Sequence, residues 1–210
     1  MCWAHILQLV CSWRCANMIG LPSIPVWKLW TFAILLLVMQ ATTLHFMGRH
    51  LLPVTGQLKL WADDPLGPDN SQQLADWYSL SHVVHGILLY GLISLVAPRL
   101  PFAVRLLLAT GLEVSWEVIE NSPMVIKTYR KQALAAAYAG DSILNSLSDT
   151  LMMCLGFFIA SRLPWWLTII LALCLELVAV AVIRDNLSLN MLNFLVSWPA
   201  LKHWQAAYRP

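Results

Sequence analysis

Apolar runs of membrane-crossing length alternate along the chain with short polar breaks. A helix needs about 20 mainly apolar residues to span a bilayer. On that measure the pattern predicts spans over 26–47, 79–97, 102–119, 143–161 and 165–183. Pro25 opens the first, Pro98 and Arg99 close the second, and Arg162 and Pro164 end the fourth. The turn "PRLP" is too short for anything but antiparallel neighbours on either side of it. A last apolar stretch, 187–201, is interrupted by Asn190, Asn193 and Pro199, and reads as an interfacial or re-entrant helix or as a sixth crossing. The expectation is an all-α, polytopic transmembrane bundle of five or six helices. One domain would cover 25–201, preceded by an amino-terminal segment, 1–24, and followed by a tail, 202–210. The apolar start "MCWAHILQLVCSWRC" carries Arg14 after its hydrophobic part and shows no small-residue cleavage site, so it does not read as a signal peptide. Met18 offers an alternative start.

The polar positions inside this pattern are not scattered. His82 and His85 open the second span, and Glu113, Glu117, Glu120 and Asn121 close the third. Asp141, Asn145 and Asp149 open the fourth, and Arg184 and Asp185 end the fifth. Starts of even spans and ends of odd ones lie on the same side of a bilayer, so all of these reach one membrane face. Their spacings of three and four residues put each set on one helical stripe. A carboxylate as deep as Asp149 costs on the order of 2.5–3.5 kcal/mol even on the lenient insertion scale. Asp149, Glu113 and Glu176 are therefore expected to face the bundle interior and find partners.

Composition agrees with the pattern. Of 210 residues, 59% are hydrophobic and 11% charged, and the mean hydropathy is +0.66. A net charge of +2 gives no electrostatic footprint for nucleic acid. Cys2, Cys11, Cys15, Cys154 and Cys174 form no CxxC pair, which argues against a zinc ribbon or a disulfide framework. Trp165 and Trp166 suit an interface anchor. The shortest connections hold Arg99, Arg105 and Arg162, which favours an amino terminus inside and a polar face on the periplasmic side, although Lys127, Arg130, Lys131 and Arg184 fall outside.

Two histidines among carboxylates can hold a divalent cation, and the metal candidates are His82, His85, Glu117 and Asp149. A metal there could activate water for a hydrolase or transferase acting on an envelope lipid or its head group. The same acids, with Arg130 or Arg184, could instead bind a small polar ligand, a head group or a partner without chemistry. A third reading makes them polar glue between helices. No HExxH, P-loop, GxSxG or Rossmann fingerprint is present.

The runs "NSQQLADWYSLSHVVHG", "EVSWEVIENSPMVIKTYR", "YAGDSILNSLSDTLMMCLGF" and "IRDNLSLN" together resemble an uncharacterised family of multi-pass bacterial inner-membrane proteins, from about Leu44 to Asn193. That resemblance implies a location in the bacterial inner membrane and a topology, and no reaction. The order of His, then Glu, then "GD…N…D" more loosely resembles VanZ-like membrane proteins. Family members tend to carry cysteines before the "KLW" run. This chain has Pro53 to Gln57 there, so the resemblance carries no metal or disulfide role over to that loop.

Overall fold

The computed structural model describes residues 25–196 and 198–208; the segment 1–24, with the alternative start at Met18 and three of the cysteines, lies outside the described residues. Eight helices follow in order: α1 Val26–Phe46, α2 Ser79–Val96, α3 Phe102–Glu120, α4 Pro123–Tyr129, α5 Ile143–Arg162, α6 Trp165–Ile183, α7 Leu187–Leu195 and α8 Pro199–Ala206. Among the described residues the extended structure amounts to one isolated bridge, between Ala62 and Asp76.

Six of the helix starts fall into two kinds. α1, α3 and α6 begin directly after Pro25, Pro101 and Pro164, whose fixed φ sets the chain up for a helix and which have no N–H to satisfy. α4, α5 and α7 begin with side-chain caps from Ser122, Ser142 and Asn186. These two kinds mark the two ends of the bundle. Among the described residues the proline end has two tight connections, 97–101 and 163–164, and the long connections 47–78 and 130–142 lie at the other end.

The parallel pair α2 and α5 makes the most extensive contact and forms the centre. Their backbones touch at Gly86 and Gly156. A Cβ on Gly86 would lie 1.9 Å from the Met153 carbonyl oxygen, and one on Gly156 would lie 2.0 Å from that of Val83. Close approach through small residues is a usual way to pack helices where lipid removes the hydrophobic drive. α3 runs antiparallel beside both, and α1 covers α3 and α5 with its second half, burying Gln40 and Leu44. α6 covers α2, setting Leu171, Ala172 and Leu175 against Val83, Ile87 and Ala160. Nearer the proline end, Ile93, Ala109, Met153 and Phe157 make a dry core with Tyr90 and Phe102 edge-on or tilted against Phe157.

α1, α2, α5 and α6 are long and apolar enough to cross a membrane. α3 has the length, 19 residues, but Arg105, Glu113, Glu117 and Glu120 keep it outside that group. α7 has nine residues and would rise about 13 Å, too little for a crossing. α8 runs across the boundary expected at 201, and its Gln205 is buried, donating to the Arg184 carbonyl and to Asp185.

The loop 47–78 is tied to the start of α5. Backbone N–H groups of Ser142, Ile143 and Leu144 donate to the carbonyls of Ser71, His50 and Leu51, which satisfies donors that a helix start leaves open. Ser142 Oγ and Asn145 Nδ2 add bonds to the carbonyls of Gln72 and Gln73.

Candidate functional site

At the loop end a cavity of about 720 Å³ opens between the loop 47–78, the segment 121–142 and the ends of α2, α3 and α5. His82, His85, Trp116, Glu120, Asp141 and Asp149 line its deeper part. The helical stripes explain the convergence. α2 and α5 enter the bundle here in parallel while α3 arrives antiparallel, so the first turns of two helices face the last turns of the third.

His82 stands at the centre. Its Nδ1 lies 2.5 Å from Glu113 Oε1 and 3.4 Å from Glu117 Oε1, and its Nε2 lies 3.9 Å from Asp149 Oδ2. His85 Nδ1 is 3.4 Å from Glu113 Oε2, and its ring packs edge-on to those of His82 and Trp116. His82, Glu113, Glu117 and Asp149 are all buried, exposed by between 1% and 7%. Among the described residues Lys59–Asp69 is the one ion pair formed by a lysine or arginine with a carboxylate, so these acids have no Lys or Arg as counter-charge.

One oxygen is left over. Glu117 Oε2 accepts from Ser146 Oγ at 2.6 Å, but Oε1 is buried with no hydrogen-bond donor. His82 cannot serve both acids from Nδ1, because a single N–H points at Glu113. Ligand atoms from His82, His85 and Glu113 lie within 4.8 Å of one another, as do those from His82, Glu117 and Glu120. Around one ion with bonds of roughly 2.0–2.2 Å, ligand atoms stand on the order of 3–4 Å apart.

A supporting layer fixes these groups. Ser79 Oγ donates to Asp149 Oδ1 at 2.8 Å. Gln40 Nε2 donates to Ser146 Oγ at 2.7 Å and to the Ser146 carbonyl at 3.0 Å, while Thr150 Oγ1 donates to Gln40 Oε1 at 3.0 Å. Glu117 is therefore held by α5 through Ser146, and Ser146 by α1 through Gln40. Sequence reasoning missed Gln40, although an amide inside a 21-residue apolar run was a visible signal. Ser79 and Ser146 gave none, since serines are common at helix starts.

The remaining expected residues divide. Asp141 lines the cavity but is already engaged: Asn121 Nδ2 donates to Oδ2 at 2.5 Å and Tyr138 Oη to Oδ1 at 2.9 Å. Burial still pushes its carboxyl above the usual range. Asn121 also donates to the Glu117 carbonyl, so it ties the segment 121–142 to the end of α3. Asn145 turns to the loop and not to the cavity. Asp185 accepts from Tyr78 Oη at 3.1 Å and from Gln205, and burial pushes it up to about 6. Arg184 does not join the cluster. Its φ of 56° ends α6 in the left-handed region, and its guanidinium donates to the Trp204 carbonyl and stacks on that ring. Glu176 finds its partners in α7, accepting from Leu187 N, Ser188 N and Ser188 Oγ.

Residues 44–207 match the model of the family described as "Protein of unknown function (DUF2585)". The chain is 44% identical over 177 residues to a UPF0314 protein of Sphingopyxis alaskensis, covering 84% of this chain and 94% of that one. It is 42% identical over 186 residues to one of Brucella anthropi, covering 88% and 94%, and 49% identical over 171 residues to one of Rhizobium etli strain CIAT 652, covering 80% and 87%. No solved structure matches it. The chain belongs to this family.

Proposed function

We propose that this member of the DUF2585 family is an integral protein of the bacterial inner membrane whose cavity binds a divalent cation through His82, His85, Glu113 and Glu117. The observation that carries the reading is Glu117 Oε1, a buried carboxylate oxygen with no donor, beside two groups of ligand atoms that share His82, one with His85 and Glu113 and one with Glu117 and Glu120, each within 4.8 Å. A cation would supply the missing partner and add positive charge to the ion pairs that His82 and His85 make with these acids. Mixed imidazole and carboxylate donors suit a first-row ion such as zinc, manganese or iron. Ser146 and Gln40 would then act as the outer layer that orients a ligating carboxylate.

Five crossings, α1, α2, α3, α5 and α6, account for the described residues. α3 is carried as the fifth because its acids point into the bundle and not at lipid. The apolar outer faces of α1 and α6, with Trp27, Trp30, Ile169, Ile170 and Leu173 exposed, suit contact with acyl chains. Lys28, Arg99, Arg105 and Arg162 gather at the proline end, which supports a reading with that end inside and the cavity on the periplasmic face. Below the cluster the dry core around Phe157 follows Thr110 and Cys154 and separates them from Ser94 and Arg105, so the reading is of a one-sided site and not of a pore.

A second reading adds chemistry: a hydrolase or transferase in which the cation activates water. Asp149 favours it, because it lines the cavity beside His82 and is held by Ser79 outside the close ligand groups, as a base would be.

The test is elemental analysis and equilibrium dialysis of purified protein with zinc and manganese. About one ion per chain is expected, with Glu117→Gln lowering affinity while the variant still accumulates. Wild-type protein free of metal after dialysis would sink the proposal.

A further inference from the structure

The wall of the cavity nearest the membrane surface differs from its floor. Arg49 is the one lysine or arginine lining the cavity, and it stands there by design of the backbone. α1 ends in a Schellman motif: Gly48 has φ 80°, its N–H donates to the His45 carbonyl, and Arg49 N–H donates to that of Leu44. The turn sends Arg49 across to the segment before α5, where its Nη1 donates to the Ala139 carbonyl. Gly140, with φ 93°, leaves the space it needs, since a Cβ there would come within 2.2 Å of Nη1.

Seated in this way, Arg49 forms no ion pair, and its Nε is a buried donor without a partner. An arginine fork with an open donor is suited to a phosphate or carboxylate oxygen. The cavity also carries apolar side chains toward its mouth. Val54, Leu66, Leu134 and Met191 line it, and the loop carrying Val54 and Leu66 also exposes Leu51, Leu52, Leu58 and Leu60 by more than half. A bilayer lying against that loop would be continuous with the cavity mouth. The volume, about 720 Å³, falls within the range of small-ligand sites, roughly 300–1,000 Å³.

From these features we infer that the cavity takes the oxyanion head group of a membrane amphiphile, held between Arg49 and the cation at the His82 cluster, with its apolar part along the loop 47–78. The inference rests on the cation reading, because the floor acids would repel an anion without a bound ion. A lipid phosphate and free phosphate share the head-group chemistry; the apolar mouth selects the lipid.

The test uses full-length protein in detergent, loaded with zinc, titrated calorimetrically with dihexanoyl phosphatidic acid and separately with inorganic phosphate. Zinc uptake is measured first, on the wild-type protein. Phosphatidic acid is expected to bind at least tenfold more tightly than inorganic phosphate, with Arg49→Gln weakening it at least tenfold and Arg49→Lys less. If zinc is taken up but Arg49→Gln and wild type bind the lipid equally, the inference is overturned while the cation site stands. If both phosphates bind equally tightly, the amphiphile is overturned. If the wild-type protein takes up no zinc, the cation reading falls and this inference with it. An unchanged unfolding midpoint for Arg49→Lys guards against misfolding as the cause of lost binding.

Discussion

Glu117 and Glu176 are both carboxylates inside apolar helices, and the protein treats them oppositely. Glu176 accepts three hydrogen bonds with its two oxygens, all from the first turn of α7, at distances from 2.5 to 3.1 Å. It closes a helix start that would otherwise leave amide donors open. Glu117 has one donor, Ser146, and one oxygen with none. An apolar helical setting thus does not by itself decide whether a carboxylate finds its partners. The distinction is whether the fold has satisfied it. An acid retained as glue should be fully bonded, because an unmet buried oxygen costs about 1–3 kcal/mol, and more when charged.

The contrast breaks most directly in metal affinity, which carries the largest expected effect. Glu117→Gln should weaken zinc binding about a hundredfold, near 2.8 kcal/mol, whereas Glu176→Ala should leave it within a factor of three. Equal losses in equilibrium dialysis would mean that both acids serve the bundle alone. Stability should show the reverse. Glu176→Ala should cost about 2 kcal/mol in denaturant unfolding of the metal-free protein, through the stranded amides of Leu187 and Ser188. Glu117→Gln should be near neutral there, because the amide keeps the side chain's shape and an acceptor for Ser146. A finer test uses Ser146→Ala, which leaves every proposed ligand in place but frees Glu117 Oε2. Metal affinity should fall about tenfold, the lower end of what outer-layer partners contribute. No change would show that Ser146 only packs.

Much of this site was legible from the sequence, for a geometric reason. Alternating spans return their polar ends to one face, and three- and four-residue spacing aligns them, so His82, Glu113, Glu117 and Asp149 could be placed together before any coordinates. The helical class was legible in the same way, from run length. What was not legible depends on single dihedrals and on partners with no special spacing. Arg184 sits next to Asp185 in sequence, but a left-handed backbone turns it toward α8. Glu176 gives the same sequence signal as Glu117, and only the fold-back of α7 supplies its donors. Arg49 lies outside the helical stripes altogether, positioned by Gly48 and Gly140. α3 shows the limit of composition: the four charges that make it a poor span by hydropathy are the ones the bundle takes inward or to its ends.

The smallest effect should come from a third carboxylate, Asp69, which is as fully bonded as Glu176 but lies in the loop 47–78. Lys59 Nζ donates to Oδ2 at 2.5 Å, and Thr55 Oγ1 and Gln73 Nε2 donate to Oδ1 at 2.8 and 2.7 Å. The hydrogen bond from Lys59, followed by those from Thr55 and Gln73, lowers its carboxyl from 3.8 to about 2. Because the folded value is depressed, the stabilisation is present above the ordinary value of 3.8 and is lost as pH falls through about 2. Solvent screens the pair, so the whole-protein melting point should barely move. Hydrogen exchange is the sensitive probe: amides of residues 55–73 should lose protection between pH 4 and pH 2 in the wild-type protein. Asp69→Asn should show the lower protection already at pH 5 and no further change on acidification. If the variant instead follows the wild-type acid profile, some other group titrates in that loop, and full bonding of Asp69 contributes nothing measurable to its order.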